Sequence, residues 1–177
     1  CGFSTNGLIQ THFISAAHDH LLTASVAAGY LALIGGFDVA GTVFSGWLTD
    51  RSDPTKLLML YYLLRGLSLL VLDPMLDAKG WGLLGFMMFY GLDWVATVPP
   101  TVALCTKKFG SQRGPLIYGW VFAGHQTGAA VAAFGAGYLR DVTGSYKSSF
   151  VIAGIACLIA AYGVTRIDAE PVVATTA

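Results

Sequence analysis

Leu57-Leu58-Met59-Leu60-Tyr61-Tyr62-Leu63-Leu64-Arg65-Gly66-Leu67-Ser68-Leu69-Leu70-Val71-Leu72 is apolar on nearly every face. Within lipid only two backbones satisfy their own hydrogen bonds, the α-helix and the closed β-barrel. A barrel strand alternates apolar and polar residues over about ten positions, and no such alternation runs through Leu57–Leu72. The stretch therefore reads as a helix, and its apolar circumference suits a bilayer better than water.

The flanking sequence repeats this pattern. Apolar segments are expected at 1–17, 22–49, 55–72, 80–106, 113–140 and 147–166, followed by a short polar tail, 167–177. A span across a hydrocarbon core of about 30 Å takes about 20 helical residues. The chain opens on Cys1 inside an apolar run with no basic region before it, so the first segment is expected to be the remainder of a longer helix rather than a signal peptide. Over 177 residues, 55% are apolar and 11% charged, with a mean hydropathy of +0.64. Soluble domains carry roughly a quarter charged residues. The reading is an all-α membrane protein, a polytopic bundle of transmembrane helices.

Formal net charge is zero, which leaves no basic face for nucleic acid. Cys1, Cys105 and Cys157 lack CxxC spacing and read as small core residues. His12, His18 and His20 match no strong metal motif and read as the polar end of a helix. No P-loop, HExxH or nucleophile elbow occurs, so neither enzymatic chemistry nor a metal or cofactor has sequence support.

Basic residues sort by alternate connections. Arg51, Lys56, Lys107, Lys108, Arg113 and Arg166 fall on one side, and Lys79, Arg140 and Lys147 on the other. Positive charge favours the cytoplasmic side, so the first group is expected there. An internal match crosses this pattern: Gly46-x-Leu48-x-Asp50-x5-Lys56 recurs as Gly137-x-Leu139-x-Asp141-x5-Lys147, displaced by 91 residues (137 − 46). Three spans separate the copies, an odd number, so they face opposite sides of the membrane, as an inverted repeat requires.

Gly46-Trp47-Leu48-Thr49-Asp50-Arg51-Ser52-Asp53-Pro54-Thr55-Lys56-Leu57-Leu58 resembles the signature loop of the major facilitator superfamily, which follows that family's second and eighth helices. Gly137-Tyr138-Leu139-Arg140-Asp141-Val142-Thr143-Gly144-Ser145-Tyr146-Lys147 is similar to the link between its last two helices, especially in the monocarboxylate and oxalate/formate branches. The resemblance covers essentially the whole chain. It implies helices seven to twelve of a twelve-helix transporter, an inverted three-plus-three repeat, and a missing N-terminal half of six helices. It further implies secondary transport of a small solute, such as an organic anion of the monocarboxylate kind, by alternating access with coupled protons or ions. The implied setting is a multi-pass protein of the cell membrane, a bacterial inner membrane. Asp53 and Pro54 depart from the family's usual loop, where Gly and a basic residue are common.

Gly46, Asp50, Arg51 and Lys56 are the candidate switch loop. Gly46 can allow close helix approach, and Asp50 lies at a helix C-terminus, unfavourable for an anion without a partner. That partner is Arg51, another basic residue or a facing helix N-terminus, and the resemblance implies a contact that breaks between states. A solvated turn is the alternative.

Asp38, Arg65, Asp93 and His125 stand deep in the spans, where each is expected to face protein or water. Asp38 heads a polar stripe with Thr42, Ser45 and Thr49, while Asp93 heads another with Tyr90, Thr97 and Thr101 near Pro99-Pro100. His125, beside Gln126, follows Tyr118 and Phe122 on one face. Asp38, Thr42, Asp93, Thr97, His125 and Gln126 are thus the candidate solute- or proton-binding residues, with plain interhelical hydrogen bonding as the alternative. In the resembling monocarboxylate branch the eighth helix carries an Asp followed four residues later by an Arg; here Thr42 follows Asp38. The family places its ninth helix outside the main cavity, which points to a structural ion pair of Arg65 with Asp38 or another acid. The rival functions are a non-transporting membrane scaffold and an intramembrane enzyme using His125 with an Asp.

Overall fold

The computed structural model describes residues 2–167, so the expectations for Cys1 and for most of the 167–177 tail lie outside the described residues. A π-helical turn, Thr5–Ile9, runs directly into α1, Gln10–Asp19. α2 spans Ala24–Thr49, α3 Pro54–Ala78, α4 Gly80–Asp93, α5 Val98–Thr143 and α6 Lys147–Val164. No strand occurs among the described residues. Four helical stretches are long and apolar enough to cross a bilayer: Ala24–Thr49, Pro54–Ala78, Gly80–Thr143 and Lys147–Val164.

The third of these is interrupted twice. Residues 94–97 are not helical, and Gly110, at φ 78° and ψ 166°, breaks α5. A Cβ on Gly114 would lie 2.8 Å from the Cα of Thr106. Eight residues of continuous helix would separate those positions by about 12 Å, so the chain doubles back at Gly110 into two arms. The expected segments 80–106 and 113–140 are the two limbs of this hairpin.

Helix ends follow their local sequence. Thr23 caps α2 by accepting from the Val26 N–H at 3.4 Å. Asp53 caps α3, accepting from the Thr55 and Lys56 N–H groups at 2.9 and 3.1 Å, with Pro54 in the first turn where no donor is needed. This gives Asp53 and Pro54 a structural reason. The Lys56 N–H in particular holds the Asp53 carboxyl below the usual carboxylate range. Gly144 ends α5 at φ 75°, its N–H bonded to the Arg140 carbonyl at 2.8 Å. α3 runs six residues past the apolar run that ends at Leu72, because Asp73 and Asp77, one turn apart, both reach His20 at 3.5 and 2.5 Å.

Packing repeats itself across the chain. α2 and α4 lie side by side, with Gly91 against Ile34 and Gly41 against Leu92, where added Cβ atoms would come within 2.7 and 2.1 Å of carbonyl oxygens. The first helix lies on the second arm of α5 in the same way, with Gly2 against His125 and Gly7 against Ala129 and Ala132. Ile34 and His125 differ by 91 residues (125 − 34), as do Gly41 and Ala132 (132 − 41). Both pairs of helices run parallel, since contacts advance together from Gly91–Ile34 to Ala96–Ser45 and from Gly2–His125 to Arg140–Asp19. α1 and α2 are joined by residues 20–23, with Leu21 at φ 60°, and reverse direction there. The second arm of α5, parallel to α1, therefore opposes its counterpart α2, so the repeat is inverted. α3 and α6, the third helices of the two repeats, pack antiparallel through Gly66 and Gly154.

The buried core gathers Leu8, Ile9 and Phe13, Leu69, Leu72 and Leu76, and Leu83, Met87, Tyr90 and Phe150. Apolar side chains also face outward, among them Val39, Val43, Phe44 and Trp47 on α2 and Phe134, Tyr138 and Val142 on α5. Cys105 and Cys157 are buried and free, as small core residues.

Candidate functional site

The site is organised by the break at 94–97 between α4 and α5. Pro99 and Pro100 stand in the first turn of the resuming helix, where their missing N–H groups cost least. A break exposes backbone groups that lipid cannot satisfy, and side chains from two other helices meet them. Arg65 of α3, with no exposed surface, donates from Nε to Asp93 Oδ2 at 2.6 Å. Its Nη2 donates to the carbonyls of Asp93 and, at 3.2 Å, Trp94. A cation thus sits on the C-terminal carbonyls of α4, where the helix dipole favours it. From α2, Asp38 Oδ1 accepts from the Val95 N–H at 3.0 Å and from Thr42 Oγ1 at 3.2 Å. Ser45 Oγ donates to the Ala96 carbonyl at 2.5 Å.

The expected Arg65–Asp38 ion pair is therefore corrected: the ion pair is Arg65–Asp93, and Asp38 is a backbone cap. The parallel packing of α4 on α2 turns Asp38 towards the start of the resuming helix, while α3 faces the end of α4. Asp93 Oδ1 is buried with no hydrogen-bond partner among the described residues.

Beside the break lies a cavity of about 390 Å³. Trp94, Val95, Thr97, Val98 and Thr101 form one wall, and Tyr118, Val121, Phe122, Gly124 and His125 of the second α5 arm another. Thr5, Asn6 and Tyr62 complete it. No Lys, Arg, Asp or Glu occurs among these described residues. Phe122 stacks on His125, with centroids 5.5 Å apart and planes 9° apart, and on Tyr118 at 6.3 Å.

Of the candidates, Thr97 and His125 line this cavity, while Asp38, Thr42 and Asp93 stand behind its wall, and Gln126 is exposed and outside the lining. Thr5 and Asn6 escaped the sequence reading. Their signal was the polar run Ser4-Thr5-Asn6 in an apolar segment, and the structure places it in the π-helical turn, a feature frequent at functional sites.

The candidate switch loop differs from expectation at Gly46. Gly46 has open space at its Cβ position rather than a neighbouring helix. Arg51 does not engage Asp50; its guanidinium lies 4.3 Å over the Trp47 ring and donates to the Trp47 carbonyl at 3.2 Å. Asp50 is exposed and has no ion pair among the described residues.

At the opposite end Arg140 bonds both oxygens of Asp19, at 3.2 and 2.8 Å, and this holds the Asp19 carboxyl below its usual range. His12 joins three helices, with Nε2 2.7 Å from the Ala133 carbonyl and Nδ1 3.2 Å from the Tyr146 hydroxyl. The carbonyl can only accept, so Nε2 carries the proton. His12 and His20 thus serve as interhelical links.

The family model of the Major Facilitator Superfamily matches residues 2–175. The chain belongs to the major facilitator superfamily. It is 37% identical over 140 residues to Monocarboxylate transporter 13 of Bos taurus, covering 78% of this chain and 32% of that protein. It is 29% identical over 150 residues to the MFS-type transporter YcxA of Bacillus subtilis, covering 82% of this chain and 36% of that one. Monocarboxylate transporter 12-B of Danio rerio is 28% identical over 152 residues, 82% of this chain and 30% of the relative. The chain spans about a third of the length of these major facilitator relatives, which come from animals as well as a bacterium. No solved structure gives a significant match.

As a major facilitator chain it is a multi-pass membrane protein.

Proposed function

We propose that the full-length protein is a secondary transporter of a small organic solute, bound between this six-helix half and a second half that completes the cavity. The carrying observation is the broken helix. Arg65, Asp38 and Ser45 hold residues 94–97 open beside a cavity of about 390 Å³ instead of letting the helix close. In this reading the described helices make six crossings, counting the first helix and both limbs of the 80–143 hairpin. The six-residue basic group lies in the cytoplasm. The protein resides in the cell membrane, with no one kind of organism singled out.

Thr97 and His125 contact the solute. Asp93 takes the coupled proton at Oδ1, and Asp38 with Thr42 holds the break. The monocarboxylate class follows from the names of the relatives. No fixed positive charge lies among the described lining residues, so a carboxylate would find its counter-charge on the other half. Asp50 is free here to engage a partner in another conformation, which suits a switch role for Gly46, Asp50, Arg51 and Lys56.

The test is uptake of labelled short-chain carboxylates into proteoliposomes holding the full-length protein, with and without a proton gradient. Saturable uptake that rises with an inward proton gradient supports the reading. Correctly folded protein that moves no solute would leave a membrane scaffold.

A further inference from the structure

The cavity wall contributed by the second arm of α5 is a ladder of rings. Tyr118, Phe122 and His125 lie at i, i+4 and i+7 on one helix face, and their rings stack in sequence. Phe122, 46% exposed, presents its ring rather than burying it in the core. Across the cavity stand the indole of Trp94 and the hydroxyl-bearing Thr101. Thr101 Oγ1 already donates to the Thr97 carbonyl at 2.6 Å, so towards a ligand its oxygen can serve as an acceptor.

Three properties narrow the ligand. The lining described here is aromatic and hydroxylic with no formal charge, so it selects a neutral part of the solute. At about 390 Å³ the space bordered by this half alone has room for a ring. Its walls come from the first helix, α3, the broken segment with the start of α5, and the second α5 arm, so the rings border a concavity and not a flat outer face. We propose that this wall receives the aromatic ring of the transported solute, stacked against Phe122, and that the solute is an arene-bearing carboxylate rather than a short aliphatic one. This deepens the transport reading and rests on it.

The experiment compares phenylacetate with its saturated counterpart cyclohexylacetate, as ligands of the purified full-length protein and as uptake substrates in proteoliposomes. Ring stacking is worth enough to favour the arene by roughly two- to twelve-fold. Phe122→Leu keeps apolar volume and should lower affinity for phenylacetate more than for cyclohexylacetate, abolishing the preference; Phe122→Tyr should retain it. Tyr118→Leu, at the other lining ring stacked on Phe122, reads the same preference if Phe122→Leu yields too little protein. Equal binding of the two acids, or a preference that survives Phe122→Leu, would overturn the inference. Uptake that ignores the ring leaves transport standing and this inference refuted. A Phe122-dependent preference in binding without any uptake does the reverse.

Discussion

Arg65 and Asp38 hold the same helix break from opposite ends without pairing with each other. The guanidinium covers the carbonyls of Asp93 and Trp94 that end α4, while the Asp38 carboxylate takes the Val95 N–H where the chain turns into α5. Each charge complements the helix end it meets. The break is thus a constructed feature, and what holds it sits on α2 and α3, outside the cavity that it shapes.

Breaking the buried pair should be costly. Removing one member of such a pair strands the other charge at about 3–5 kcal/mol, and removing both relieves much of this. Arg65→Leu should therefore sharply reduce folded protein, with recovery when Asp93→Asn is added and none when Asp38→Asn is added. Heat-challenged chromatography of the tagged full-length protein reads this, and recovery by the Asp38 combination alone would refute the assigned pair.

Asp38 acts here as an acceptor for a backbone donor. An amide oxygen can accept in its place, whereas an alkyl group cannot. Asp38→Asn should leave thermal stability near that of the parent, and Asp38→Leu should lose about 1 kcal/mol, the low end of the cost of an unsatisfied group because the contact is part-buried. Equal losses in both variants would mean that the charge, and not the hydrogen bond, is what matters.

Much of this was legible in the sequence. The Leu57–Leu72 run fixes a helix, the 91-residue repeat anticipates inverted halves, and Pro99-Pro100 marks the helix break. The partner of Arg65 was not legible: Asp38 lies 27 residues before it (65 − 38) and Asp93 lies 28 after it, so separation along the chain cannot choose. Packing of α4 on α2 decides. Gly41 and Gly46 look alike in sequence, yet five residues turn a helix by about 140° beyond one full revolution. One therefore meets Leu92 while the other faces open space. Thr5 and Asn6 offered only the short polar run Ser4-Thr5-Asn6, and nothing in composition marks that run as a π-turn lining a cavity.

The Asp19–Arg140 contact predicts a pH dependence of defined sign. Asp19 has a lowered folded-state pKa, so its contribution is fully present above the unfolded value of about 3.9 and disappears as pH falls through the folded value. The contact is exposed, so the effect is small and weakens with salt. The stability gap between the parent and Arg140→Gln should be constant from pH 7 to about 5 and close below about pH 4. A gap that persists at pH 3 would assign the effect to something other than this ion pair.

Sidedness follows from the basic residues. Impermeant thiol reagents applied outside intact cells should label cysteines placed at Lys79 and Lys147, but not at Asp53 or Gly110. The reverse pattern would invert the topology.

The central claim is that the cavity beside the 94–97 break is the solute pathway, opened alternately to each side. Thr101 lines it and is only partly buried, so Thr101→Cys in full-length protein reports on it directly. The measurement is the rate of its alkylation by an impermeant reagent added to one face, then the other, of oriented proteoliposomes. The account predicts reaction from both faces, with phenylacetate slowing both. Reaction from neither face, or from one face alone under every condition, would contradict it.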